Sequence, residues 1–124
     1  MNINSLKSKS VHIVGINGIG MSALAIYLKN KGIDVSGSDI TQNNNTKVLI
    51  KYGVKVIIGH KKDNITGKDI IFYSSAIKNN PEVSEAKKLN IPHFNRSKLL
   101  QIICKNKFVI AISGSHGKTT ATSL

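Results

Sequence analysis

Apolar residues along this chain fall into short β-branched runs separated by stretches of helical spacing. Val11, Ile13, Val14 and Ile16 form the first run and suit a buried strand. Met21, Leu24, Ala25 and Leu28 follow at the i, i+3, i+4, i+7 spacing of an amphipathic helix, which Asn30-Lys31-Gly32 ends with a glycine in the C-cap region. Ile33 to Ser38 reads as a second strand, and a helix with Val48, Leu49 and Tyr52 on one side then runs to Gly53. Val54 to Ile58 predicts the third strand, stopped by Gly59 and His60. A lone histidine in a polar loop of this kind is expected to be exposed. A lysine-rich connection with one helical turn around Asn64 leads to the apolar run Ile70 to Tyr73. Asn80-Pro81-Glu82 has the composition of a helix start, with a cap residue, a proline at the first position and an acid in the first turn. That helix is expected to turn Val83, Ala86 and Leu89 inward. Ile91 to Phe94 contains Pro92 and predicts a brief or edge strand; Leu99, Ile102 and Ile103 mark another helix, and Phe108 to Ile112 another strand. Met1 to Ser10 reads as a polar lead-in. Strand and helix thus alternate about every 15 to 20 residues, which predicts an α/β fold with a Rossmann-like, doubly wound, mostly parallel sheet.

The junction of the first strand and helix carries Gly15, Gly18 and Gly20 within Gly15-Ile16-Asn17-Gly18-Ile19-Gly20-Met21. Glycines there permit positive φ and let an anion approach backbone N–H groups at a helix amino terminus. The spelling departs from G-x-G-x-x-G, because Asn17 stands where the middle glycine belongs. Asp39, preceded by Ser38, closes the second strand roughly 20 residues on, where an acid can accept hydrogen bonds from a ribose diol. A solvated turn aspartate is the plainer alternative. Ser74-Ser75-Ala76 lies at the carboxyl end of a central strand, where ligands of open α/β sheets bind. Arg96 opens a helix and can hold a phosphate or carboxylate, or simply lie on the surface.

A second phosphate motif follows the strand at 108–112. Gly114-Ser115-His116-Gly117-Lys118-Thr119-Thr120 has the parts of a P-loop, although Ile112 stands where the full pattern has glycine. Such a loop binds ATP: backbone N–H groups wrap the phosphates, Lys118 brings a cation to the terminal ones, and the Thr119 hydroxyl can ligate Mg²⁺. Lys118 and Thr119 are the catalytic candidates. The chain ends at Leu124, shortly after the loop, so the second domain is expected to be cut off.

Composition narrows the classes. Eighteen basic residues against six acidic give a formal charge of +12 in 124 residues, which raises nucleic acid as a partner. The lysines are spread along the whole chain, Arg96 is the one arginine, and three tyrosines and three phenylalanines offer little for stacking on bases. Abundant lysine, asparagine and isoleucine fit an A/T-rich genome, so no nucleic-acid role is expected. Lys7 and Lys9 before an uncharged run to Leu28 imitate a signal peptide, but His12, Asn17 and three glycines make that run a poor apolar segment. No membrane association is expected, and a cytoplasmic location is. The single cysteine, Cys104, excludes an internal disulfide and reads as a buried core thiol.

His12 to Met21, Ser-Gly-Ser-Asp at 36–39, Ser-Ser-Ala-Ile at 74–77, Asn-Pro-Glu-Val at 80–83 and Gly114 to Thr120 are similar, in order and spacing, to landmarks of the Mur ligase family. Within it, the chain resembles the amino-terminal part of the UDP-N-acetylmuramate:L-alanine ligases of peptidoglycan precursor synthesis. That family usually has glycine at the position of Asn17 and threonine at that of Ser115. The resemblance implies a UDP-sugar-binding domain over 1–106 and the start of an ATP-binding domain over 107–124. It implies that Gly15 to Met21 hold the UDP-sugar diphosphate, with Ser38, Asp39, Ser74, Ser75, Ala76 and Arg96 lining the same crevice. It also implies ATP and Mg²⁺ as cofactors, L-alanine bound outside these residues, no protein partner, and no ligation by these 124 residues alone. A dinucleotide-binding domain of NAD type, from an oxidoreductase or regulator, shares the first glycine turn and Asp39 and stays open as the alternative.

Overall fold

The computed structural model describes residues 1–104. Five strands form one sheet in the order β3-β2-β1-β4-β5, all parallel. They are β1 (Ser10–Val14), β2 (Asp34–Asp39), β3 (Lys55–Ile58), β4 (Ile70–Tyr73) and β5 (His93–Asn95). The helices are α1 (Ile3–Leu6), α2 (Ile19–Asn30), α3 (Asn44–Lys51) and α4 (Pro81–Lys88), with a 3-10 turn at Lys62–Ile65. Residues 96–104 are also helical. The doubly wound parallel sheet is therefore present, with Pro92 placed just before edge strand β5, where its missing N–H costs no central ladder bond. The strand expected over Phe108 to Ile112 and the P-loop lie outside the described residues.

Side-chain alternation along the strands separates two faces. Val11 and Ile13 of β1, Val35 of β2 and Ile70 and Phe72 of β4 join Met21, Ala25 and Leu28 of α2, Leu49 of α3 and Leu99, Ile102 and Ile103 in the larger core cluster. Val14 and Ile71 turn the other way and meet Ala86 of α4 and Ile65 of the 3-10 turn in a small one. The polar lead-in is more than that: Asn2 caps α1 with a reciprocal Asn2–Ser5 capping box, and Ile3 and Leu6 are buried in the larger core.

Four inward assignments change, in three helices. In α3 the buried pair is Thr46 and Leu49, one turn apart, while Val48 and the C-cap Tyr52 face outward. In α4 the buried residues are Glu82 and Ala86, whereas Leu89, the C-cap, is 52% exposed. A residue at a helix end is past the last turn that the sheet covers, so its place in a periodic pattern does not bury it. Cys104 is exposed, not a core thiol, because Ile102 and Ile103 take the inward positions of that turn.

Candidate functional site

Strand register brings the site together. Val14 lies opposite both Ser38 and Tyr73, and Tyr73 opposite Asn95, so the strands finish level at their carboxyl ends. Gly15, Asp39, Ser74 and Arg96 therefore stand in one row at that edge. The chain order reverses between β1 and β4, which is where ligands of open parallel sheets bind.

Each side of this crevice is built by local chemistry. Ser38 O accepts from Gly15 N at 2.8 Å and Ile16 N at 3.1 Å, fastening the glycine turn to β2. Gly15 has φ +84°, and a Cβ on it would stand 3.0 Å from Ser74 Cβ, so only glycine permits both the turn and the approach of the next wall. That wall, Ser74 to Ile77, is tied back by Ser74 N donating to Val14 O and Ile77 N to Ser74 O. Ser74 is half-buried; Ser75 and Ala76 are exposed. Gly18 is the N-cap of α2 and supplies no side-chain cap to the N–H groups that begin the helix. They point where an anion is stabilised by the helix dipole. A Cβ on Gly20 would lie 2.5 Å from Arg96 Nη2 and 2.8 Å from its Cζ, so the guanidinium rests on the first turn of α2. Among the described residues, no carboxylate pairs with it.

Other predicted site residues serve the turn itself. Ile16 and Met21 are buried in the apolar core, and Ile19 opens α2. Asp39 accepts from Asn17 N through Oδ2 at 2.9 Å and from Ile40 N through Oδ1 at 2.7 Å. Asn17 is buried; its Nδ2 donates to Thr41 O at 2.7 Å, and its carbonyl accepts from the Asn43 and Asn45 side chains. Its Oδ1 is buried without a partner among the described residues. Ser38 is buried, with its hydroxyl donated to Glu82 Oε1 at 2.7 Å. Gly114, Ser115, His116, Gly117, Lys118, Thr119 and Thr120, the expected ATP and Mg²⁺ residues, lie outside the described residues.

Below the crevice, on the α4 face, sits a buried polar cluster centred on Glu82, which the sequence places only as the acid in the first turn of a helix. Glu82 is fully buried. Its Oε1 accepts from His12 Nε2 at 2.6 Å and from Ser38; its Oε2 accepts from Lys61 N at 3.1 Å and Asn64 Nδ2 at 3.0 Å, and His60 Nδ1 is 3.1 Å away. Burial by itself would raise the Glu82 carboxyl. Hydrogen bonds from His12, Ser38 and Asn64, with the His12 charge, outweigh it and hold the pKa at about 2, below the ordinary 4.5. His60 is thus a member of a network and not a free loop side chain. Since Ser38 gives its proton to Glu82, His60 Nδ1 carries the hydrogen in its contacts with Ser38 Oγ and Glu82, and Nε2 is left buried without a partner among the described residues. A sequence signal for this cluster existed: His12 in an apolar strand, with Ser36 and Ser38 at alternate positions of its neighbour, shares one face, and a buried polar row needs a partner.

A family model for the catalytic domain of Mur ligases matches residues 10–108. The chain belongs to the Mur ligase family. Among Mur ligases, the UDP-N-acetylmuramate–L-alanine ligase of Aquifex aeolicus is 50% identical over 117 residues, covering 94% of this chain and 26% of the relative. That of Campylobacter jejuni strain 81116 is also 50% identical over 117 residues, covering 94% and 27%. The crystal structure of the UDP-N-acetylmuramate–alanine ligase of Thermotoga maritima superposes with TM-score 0.75 at 34% identity, covering 79% of this chain and 23% of that one. The chain spans about a quarter of the length of the curated Mur ligases it matches. Among the described residues no helix is long and apolar enough to cross a membrane.

Proposed function

We propose that residues 1–106 bind UDP-N-acetylmuramate, as the first part of an ATP-dependent ligase that joins L-alanine to its lactyl carboxylate in peptidoglycan precursor synthesis. One observation carries the reading: the uncapped amino terminus of α2, the guanidinium of Arg96 resting on Gly20, and the Ser74 wall against Gly15 converge on one crevice at the switch between β1 and β4. Helix N–H groups and a cation with no carboxylate partner among the described residues suit a diphosphate, which needs several donors and a balancing charge. The exposed Ser75 and Ala76 leave room beside it for the rest of the sugar nucleotide.

In this reading the carboxylate of the UDP-sugar attacks the γ-phosphate of ATP, ADP leaves, and the alanine amine displaces phosphate from the acyl phosphate to form the amide. Lys118 would neutralise the terminal phosphates and Thr119 would ligate Mg²⁺, with the loop 114–120 supplying N–H groups. The residues at 107–124 begin the ATP-binding domain in the same reading, and the protein works in the cytoplasm, where UDP-sugars and ATP are found. The described domain contributes binding and orientation: it holds the diphosphate while the sugar end meets the nucleotide.

A dinucleotide site of NAD type would put Asp39 on the ribose diol, whereas here each of its oxygens accepts one backbone N–H of the turn, so that Asp39 serves the turn first. An amide-NMR titration of the labelled chain separates the two. UDP-N-acetylmuramate should move resonances at 15–21 and 74–76, and NAD at the same concentration should not; movement with NAD alone overturns the proposal.

A further inference from the structure

We propose that Glu82 is a positioning residue that clamps the two walls of the crevice, the glycine turn and the Ser74–Ile77 loop, in fixed relation to each other. This rests on the reading of that crevice as the UDP-sugar site; the clamp itself is a matter of geometry in the chain. Towards the glycine turn, the link runs from Glu82 Oε1 to the Ser38 hydroxyl, and from the Ser38 carbonyl to the N–H groups of Gly15 and Ile16. His12, two residues before the end of β1, holds the same oxygen from the strand that leads into the turn. Towards the other wall, Glu82 N donates to Asn80 Oδ1 at 2.8 Å, and Asn80 ends the connection that carries Ser74 and Ile77 against Gly15. Oε2 meanwhile seats Lys61 and Asn64 of the 3-10 segment, and Asn64 Nδ2 also holds Gly59 O at the end of β3.

His12 of β1, Ser38 of β2 and the segment that follows β3 thus meet on one carboxylate, which stands in the first turn of α4, directly after the connection that carries Ser74 and Ile77. An apolar plug in this place would serve the fold as well, because a buried charge costs desolvation that its partners only offset. What an apolar side chain cannot supply is direction. Two acceptor oxygens with defined donors fix where Ser38 and the start of α4 stand relative to each other. The consequence is that loss of the carboxylate frees the start of α4, and with it the connection at 74–80, from β1 and β2, so that the two walls lose their fixed relation.

The test uses the 124-residue chain, native and as Glu82→Ala, Glu82→Gln and Leu28→Ala, the last a truncation in the apolar core of the opposite face. Amide shifts and hydrogen exchange at 15–20 and 74–77 are read alongside the affinity for UDP-N-acetylmuramate. Glu82→Ala should perturb both segments together and weaken binding by about tenfold or more. Glu82→Gln should perturb both less than alanine does, because its oxygen can still accept from His12 and Ser38, and more than the native carboxylate, because its amide then meets the donors Lys61 N and Asn64 Nδ2. Leu28→Ala should disturb neither segment. Perturbation of one wall alone by Glu82→Ala, or an equal effect from Leu28→Ala, overturns the clamp. Should Glu82→Ala fail to fold, Ser38→Ala cuts only the arm to the turn; shifts at 15–20 without shifts at 74–77 support the proposal, and unchanged resonances at 15–20 overturn it. If the native chain does not bind the UDP-sugar, the functional reading falls, while the amide and exchange measurements still decide the clamp.

Discussion

The two faces of the sheet are held by different physics. On one, α1, α2, α3 and the helix at 96–104 bury a large cluster of leucine, isoleucine and valine side chains. On the other, the fully buried apolar cluster among the described residues is small, Val14, Ile65, Ile71 and Ala86 under α4 and the 3-10 turn, and the space between β1, β2 and α4 is filled by His12, Ser36, Ser38 and Glu82. Hydrophobic burial is non-directional, so the first face stabilises the fold without specifying positions at the strand ends. Hydrogen bonds to a charge are directional, and the second face connects to the crevice through them. The apolar face holds the molecule together; the polar face sets the shape of the site.

The contrast is sharpest in what a single truncation leaves behind. Glu82→Ala should cost about 3–5 kcal/mol, because the buried donors His12 and Ser38 then lose their acceptor. Leu28→Ala should cost about 2–5 kcal/mol through lost transfer energy and a cavity. Urea denaturation of both variants measures these losses. The comparison breaks if Glu82→Ala proves nearly neutral, since the network would then be incidental packing.

Acid should act on one face alone. The Glu82 pKa is lowered from 4.5 to about 2, so the folded state binds its proton less readily than the unfolded one. The stability it contributes is complete above about pH 4.5 and is lost as pH falls towards 2, an effect of about 3 kcal/mol by linkage. Denaturation midpoints of the native chain should fall steeply across that window. Those of Glu82→Gln should fall less, and parallel curves for the two would remove Glu82 as the source.

How much of this was legible in the sequence follows the same division. The glycine turn, the strand ends and the order of elements could be read because each rests on local periodicity or on a few adjacent residues, as in Gly15 to Met21 and Ile70 to Tyr73. Placement of Arg96 on Gly20 could be proposed only as an anion contact, since the approach depends on where β5 ends relative to β1. Glu82 was legible only as an acid in the first turn of a helix, which it is, and His60 was expected to be exposed, because their partners lie far along the chain: His12 is 70 residues from Glu82. Local pattern places an acid after an N-cap correctly and says nothing about which way it turns. Leu89 failed for the opposite reason, as an apolar residue continuing a period beyond the turn that the sheet covers.

A small residue can be tested on each side of this division. Gly37 lies on the apolar face of β2, where a Cβ would meet Ile16 Cβ at 2.6 Å and the Ile13 carbonyl at 2.7 Å. Neither backbone nor a buried β-branched side chain can move away cheaply, so Gly37→Ala should cost about 1–3 kcal/mol in stability, read as a lowered urea midpoint. Binding of the UDP-sugar should weaken only as far as Ile16 shifts the turn.

Gly20→Ala should behave in the reverse way, and its effect on stability is the smallest expected. The three atoms nearest the added Cβ would all be Arg96's, Nη2, Cζ and Nε, the far end of a flexible and exposed side chain. The guanidinium can swing into solvent, and alanine is a better helix residue than glycine by up to about 1 kcal/mol, so stability should hold or rise slightly. The cation would, however, leave the first turn of α2, where it adds to the helix N–H groups. Affinity for UDP-N-acetylmuramate should then fall by about tenfold, the scale of one charge-assisted contact to phosphate. Arg96→Ala should reproduce that loss, and the two changes combined should cost no more than either alone, because both remove one contact. Additive losses in the double variant would mean that Gly20 serves the ligand through its own backbone, and that Arg96 acts elsewhere.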